Sequence, residues 1–192
     1  MKLYLVRHGQ SQGNINGFWQ GYLPSELTQK GKEQVCCTSQ GLKDKNFDAI
    51  YSSDLQRAHQ TALILQEQYP TTPLHLNPLL REAYLGELEG KPISVRPDWR
   101  TNPPIGAETF DKLMNRAKIL LEYLYFKHKN DTLLLVAHSG INKAIIQTIR
   151  NIHDYDDNLE QKNACVNILE FNGFDNMDVL EVNKTFETNN TD

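Results

Sequence analysis

The sequence predicts an α/β fold: a three-layer α/β/α sandwich around a mostly parallel central sheet. Three observations lead there. Short β-branched or aromatic runs alternate with amphipathic stretches of helical spacing along the chain. The 192 residues, 39% of them hydrophobic, suffice for about one domain with a sizeable core. No repeat or low-complexity linker interrupts the alternation, so residues 1–183 read as one domain and 184–192 as a polar tail.

Strands are expected at Lys2–Val6, Ala49–Ser52, Leu133–Ala137, Val166–Phe171 and Asp178–Val182, with a further short run at Leu74–Leu76. The first helix spans Thr28–Leu42, opened by Thr28, charged at Lys30, Lys32 and Glu33, and ending around Gly41. The second spans Asp54–Tyr69, stops at Pro70, and keeps Leu55, Ala58, Ala62, Leu63 and Leu65 mainly on one face. The longest covers Glu108–Lys129, with Leu113, Ala117, Leu120, Leu121, Leu124 and Tyr125 on its apolar side. A last helix runs from about Ile141 to Arg150. From Leu88 to Ala107, four prolines and no periodicity predict a long loop, either a lid and site wall or a surface excursion.

Composition narrows the partners. Twenty basic against 24 acidic residues give a net charge of −4 with no basic stripe, which disfavours a general nucleic-acid binder. No apolar run is long enough to span a membrane, and the one at Met1–Val6 is too short for a secretion signal. Cys36, Cys37 and Cys165 form neither a disulfide framework nor a zinc pattern. They read as buried or inert thiols, the adjacent pair fitting helix packing, in a reducing, cytoplasmic compartment.

The chemistry gathers at strand ends. The first strand ends in Arg7-His8-Gly9, and ligands of parallel α/β sheets bind just beyond the carboxyl ends of strands. A polar loop follows with Asn14, Gln20, Gly13, Gly17 and Gly21. The strand at Leu133–Ala137 ends in His138-Ser139-Gly140; if the two strands are neighbours, His8 and His138 face one another. Ser52-Ser53-Asp54 leads into a helix whose first turn carries Arg57, and Leu80-Arg81-Glu82 adds a carboxylate. Two histidines, two arginines and a glutamate suffice for phosphoryl transfer without a metal. Guanidiniums match phosphate oxygens, an imidazole attacks phosphorus, and a carboxylic acid protonates the leaving oxygen.

Arg7-His8-Gly9 with Asn14 resembles the RHG-x-S/T-x-x-N signature of the histidine phosphatase superfamily, also called phosphoglycerate mutase-like. The similarity continues through Gln20-Gly21, Leu27-Thr28 with Gly31 and Gln34, and Ser52-Ser53-Asp54-Leu55 with Arg57-Ala58 and Gln60-Thr61-Ala62. It then takes in Leu80-Arg81-Glu82 with Gly86 and Glu89-Gly90, and Val136-Ala137-His138-Ser139-Gly140. The resemblance implies a phosphoglycerate mutase-like fold, no cofactor and no metal. It implies His8 as nucleophile, Arg7, Arg57 and His138 on the phosphoryl oxygens with Asn14 assisting, and Glu82 as general acid and then base. Gln20, Gly21 and Ser139 complete the implied phosphate-binding set, Ser139 standing where many relatives have glycine.

Some positions admit two readings. Glu87 and Glu89 lie close to Glu82, and Gln20 fits a ligand or a turn residue. His59, His75, His128 and His153 lack partners at useful spacing and read as surface residues, and Asp154, Asp156 and Asp157 as a solvated acidic turn. Arg96, Trp99 and Arg100, with Tyr84 and Trp19, are placed to meet a substrate's non-phosphate end, although both tryptophans also suit packing.

Within the family the sequence favours a phosphatase of small phosphorylated metabolites over a bisphosphoglycerate-dependent mutase or a non-catalytic binder. Ala83-Tyr84-Leu85-Gly86 follows Glu82 where mutases carry arginine next, and no adjacent arginine pair occurs in the chain. The short interval from Glu82 to His138 also leaves a thin cap, and a mutase must exclude water.

Overall fold

The computed structural model describes residues 1–99, 101–152 and 158–186. Its strands are β1 (Lys2–Arg7), β2 (Ala49–Ser52), β3 (Leu74–Leu76), β4 (Thr132–Ala137), β5 (Val166–Phe171) and β6 (Met177–Lys184). They form one sheet in the order β3-β2-β4-β1-β5-β6. The pairings β1·β4, β2·β4 and β2·β3 are parallel, while β5 runs antiparallel to β1 and to β6. The helices are α1 (Gln12–Ile15), α2 (Gln29–Gly41), α3 (Gln56–Gln66), α4 (Phe110–Lys127) and α5 (Ser139–Ile149). One-turn 3₁₀ helices lie at Pro78–Leu80 and Gly86–Leu88.

The two-residue period of the strands produces the layers. On one face Leu3, Leu5, Leu133 and Leu135 pack with Leu120 and Leu124 of α4 and Ile145 of α5. On the other, Tyr4, Val6, Leu134 and Val136 pack with Val35 of α2 and with Ala58 and Leu65 of α3. Strands covered on both faces read as continuous apolar runs, which explains Leu3–Val6 and Leu133–Ala137.

Helix starts follow local chemistry. The Thr28 hydroxyl accepts from the Gly31 N–H at 2.9 Å, and Thr109 does the same for Lys112 at 3.3 Å. Asp111 in the first turn of α4 and Lys127 in its last complement the helix dipole.

Several expectations need correction. The donor-rich loop after Gly9 contains the short helix α1, whose four residues are too few to show a helical period. The last helix starts at Ser139, two residues early, with His138 as its N-cap. The second starts late, at Gln56, because the Ser53 hydroxyl takes the Leu55 N–H in a turn. Cys36 is exposed and Cys37 half-buried, so of the three thiols only Cys165 is buried. Burial pushes that thiol up to about 11. His128 has partners: Nε2 lies 2.9 Å from the Tyr51 hydroxyl and Nδ1 2.8 Å from Asp131 Oδ2. Arg100, His153, Asp154, Asp156, Asp157 and residues 187–192 of the tail lie outside the described residues.

Candidate active site

Strand register assembles the centre. Arg7 pairs with Ala137 across β1 and β4, so the next residues, His8 and His138, emerge side by side. Their ring centroids are 5.2 Å apart. Ser52 pairs with Val136, which brings the Ser53 hydroxyl within 2.9 Å of His138 Nε2.

The hydrogen bonds of His8 fix its tautomer. Nδ1 lies 2.7 Å from the Gly9 carbonyl oxygen, which only accepts, so Nδ1 carries the proton. Nε2 therefore holds the lone pair, and the Arg57 Nε–H donates to it at 3.3 Å. Burial, then Arg57 and Arg7, holds His8 well below the usual histidine range. His138 is lowered by burial and then by Arg57, His8 and Arg7. Both rings are neutral near pH 7.

Two buried guanidiniums flank these rings. Arg57 donates from Nη2 to the Gly21 carbonyl at 2.9 Å and from Nη1 to the Leu23 carbonyl at 3.2 Å. Burial lowers it to about 10, so it stays charged. Arg7 donates to the Gln161 carbonyl, while its Nε and His138 Nδ1 are buried without a hydrogen-bond partner among the described residues. Buried polar atoms normally find partners, and the oxygens of an anion in the cavity that Arg7 lines would supply one for its guanidinium.

The polar loop is tied to this centre. Asn14 Oδ1 accepts from the Ser11 backbone N–H at 3.0 Å and from Asn163 Nδ2 at 3.2 Å. Gln20 Oε1 lies 2.9 Å from the Ser11 hydroxyl.

Glu82 caps α5. Its Oε2 accepts from the Gly140 N–H at 3.2 Å, and its Oε1 from Ile141 at 3.3 Å and Ala83 at 3.0 Å. A Cβ at position 140 would stand 2.5 Å from Glu82 Oε1, so glycine is what lets the carboxylate approach. This cap accounts for the early start of α5. The segment bearing Glu82 is held from behind by Arg116 of α4. Arg116 donates to the carbonyls of Leu79 (3.0 Å), Arg81 (2.6 Å) and Glu82 (3.1 Å), and pairs with both oxygens of Glu108.

A cavity of about 300 Å³ opens over the centre. Arg7, His8, Asn14, Gln20, Gly21, Arg57, Glu82 and Ser139 all line it. His138, fully buried, lies against the His8 ring and is not part of its lining. Among the described residues no three His, Cys, Asp or Glu side chains gather in a way that would hold a metal ion.

The family model of the histidine phosphatase superfamily (branch 1) matches residues 3–185. The chain belongs to this superfamily. A putative phosphoserine phosphatase 2 of Hydrogenobacter thermophilus is 35% identical over 163 residues, 79% of each chain. A 2,3-bisphosphoglycerate-dependent phosphoglycerate mutase of Bartonella bacilliformis is 30% identical, covering 88% of this chain and 92% of its own. The solved structure of Bacillus stearothermophilus YhfR superposes with a TM-score of 0.84 at 26% identity, covering 93% and 94%. The relatives support a phosphoryl-transfer enzyme, phosphatase or mutase.

Of the candidate phosphate-site residues read from the sequence, Arg7, His8, Asn14, Gln20, Gly21, Arg57, Glu82 and Ser139 line one cavity, and His138 lies against His8 outside that lining. Glu87 and Glu89 separate cleanly from Glu82: Glu87 accepts from the Ile105 N–H at 3.1 Å, and Glu89 from Tyr22 at 2.7 Å. Trp19 and Trp99 line the cavity, whereas Arg96 and Tyr84 are exposed and do not. Sequence reasoning missed Arg116, although an arginine three residues after Leu113 and four before Leu120 stands out on an apolar helix face. It also missed Asn163 and Gln161, polar loop residues without any motif.

Proposed function

We propose that the chain is a metal-independent phosphomonoesterase acting on small phosphorylated metabolites through a phosphohistidine on His8. The observation that carries this reading is the His8 ring itself. Its Nδ1–H is committed to Gly9, its lone pair faces Arg57, and it shares a cavity with Glu82.

An incoming phosphoryl group offers its oxygens to Arg57 and Arg7, replacing the Arg57 bond that covers the lone pair. His8 Nε2 then attacks phosphorus as the ester P–O bond breaks, and a protonated Glu82 gives its proton to the leaving alkoxide. The Gly9 carbonyl offsets the positive charge the ring gains. In the second half, water attacks the phosphohistidine while the Glu82 carboxylate takes its proton. The P–N bond breaks, releasing inorganic phosphate and neutral His8.

Hydrolysis rather than isomerisation is favoured by the cavity wall. Beyond Arg7 and Arg57, Lys143 is the one cation among the described lining residues, so no arginine pair grips a carboxylate or second phosphate. A mutase is the second reading, favoured by the Bartonella relative's coverage. Three free cysteines suit a reducing, cytoplasmic setting.

The test is phosphate release in EDTA from a panel of phosphomonoesters, with isomerisation of 3-phosphoglycerate assayed beside it in added 2,3-bisphosphoglycerate. Release with negligible isomerisation supports the proposal. Fast isomerisation without release makes the chain a mutase, and silence in both assays makes it a binding protein.

A further inference from the structure

The cavity lining is of two kinds. His8, Arg7, Arg57 and Glu82 bring the polar chemistry, and Phe18, Trp19, Ile93, Trp99, Phe110 and Leu113 form an apolar wall. The aromatic wall is built into the backbone. Trp19 donates its N–H to the Lys91 carbonyl at 2.9 Å and accepts from Gly90 at 2.8 Å, Phe18 bridges to Pro92, and Ile93 donates to Gly17 at 2.8 Å. The Trp19 indole N–H bonds the Val95 carbonyl at 2.9 Å, so its polar edge is occupied and its faces remain for contact. Trp99 leans on Phe110, with centroids 5.8 Å apart.

Besides the centre's own groups, the charged lining residues are Glu108 and Lys143, and Glu108 is paired with both nitrogens of the Arg116 fork. Phe18 and Ile93 are close to half exposed, at 43% and 46%. Large apolar side chains left open beside a catalytic cavity lose their water when an apolar partner arrives. A volume of about 300 Å³ is at the small end of ligand pockets, enough for a phosphoryl group with one flat ring.

Resting on the phosphatase reading, we propose that Phe18, Trp19, Ile93, Trp99 and Phe110 form a subsite for an aromatic or apolar leaving group. The preferred substrates are then phosphate monoesters of ring-bearing alcohols, in preference to esters with a second anionic group.

The experiment compares 2-phenylethyl phosphate with ethyl phosphate and O-phosphoserine, esters of alkyl alcohols, so that leaving-group chemistry changes little. The expected result is kcat/KM at least tenfold higher for the phenylethyl ester. In Trp99→Ala and Phe18→Ala that advantage shrinks several-fold, and Trp99→Phe retains most of it. Equal kcat/KM values, or a preference for phosphoserine, overturn the subsite. Calorimetric binding of the same three esters to the His8→Ala protein separates the two readings. Tighter binding of the phenylethyl ester without wild-type turnover of any ester overturns the phosphatase reading and keeps the subsite. Equal binding overturns the subsite whatever the turnover.

Discussion

The Gly140 amide and the Glu82 carboxylate meet at 3.2 Å, so the proposed general acid is also the N-terminal cap of α5. Only a residue without a Cβ permits that approach. Gly140→Ala is expected to push the carboxylate aside while improving helix propensity by up to ~1 kcal/mol. Turnover of alkyl phosphates should fall by roughly tenfold or more, while the urea midpoint moves little, because losing the cap costs about 1 kcal/mol and offsets the gain in propensity. Glu82→Gln should slow alkyl esters far more than activated phenyl esters. Equal slowing of both classes speaks against acid catalysis by Glu82.

The two buried histidines predict how stability follows pH. Burial and the neighbouring arginines hold both below the ordinary value of about 6.5, which the unfolded chain regains. Between the folded and unfolded values the unfolded state binds more protons, so stability drops as pH falls below about 6.5. The slope is on the order of 1 kcal/mol per pH unit for each ring. Urea titrations from pH 8 down to pH 5 should show a plateau and then a decline, and His8→Asn should flatten the decline. The same shift keeps His8 unprotonated, so the acid limb of kcat/KM should not follow an ordinary histidine titration.

Arg116 and Glu108 form a mostly buried pair, each side chain 13% exposed, that also grips three carbonyls of the Glu82 segment. Arg116→Met strands a carboxylate and those carbonyls, and should cost about 3 kcal/mol in urea unfolding. Arg116→Lys should recover only part, since one ammonium cannot span the fork's partners. A change below ~0.5 kcal/mol in Arg116→Met would show that the pair carries little.

Gly86 has φ of +57°, and a Cβ there would lie 2.6 Å from the Ala107 nitrogen. It joins the start of the cavity loop to its end, where the Glu87 N–H donates to the Ile105 carbonyl at 3.0 Å. Gly86→Ala should destabilise the chain by roughly 1–3 kcal/mol. Limited proteolysis should then cut first between Leu88 and Ala107.

The sheet and its helices were legible because two-sided burial writes Leu3–Val6 and Leu133–Ala137 as apolar runs, and because Thr28 announces its helix. The meeting of His8 and His138 needed one assumption, that β1 and β4 are neighbours, and the register meets it. Less legible was everything decided by tertiary approach. Glu82 as a cap for α5, Arg116 behind it, and Asn163 beside Asn14 depend on segments far apart in sequence. The aromatic wall is half visible in the sequence through Trp19 and Trp99. Phe18 joins it because the loop from Gly90 to Ile93 folds back on Gly17–Trp19, and Phe110 because Trp99 packs on it. The partners of His128 are Tyr51, far off in sequence on β2, and Asp131, three residues on, whose pairing with the ring at the end of α4 no motif signals.

The most direct test of the account is the fate of the phosphoryl group. A rapid-quench reaction with a ³²P-labelled ester, followed by peptide mapping, reads it. An acid-labile, base-stable phosphate is expected on His8, forming and decaying fast enough to carry turnover and absent from His8→Ala. Steady turnover with no label on His8, or label on another residue, would contradict it.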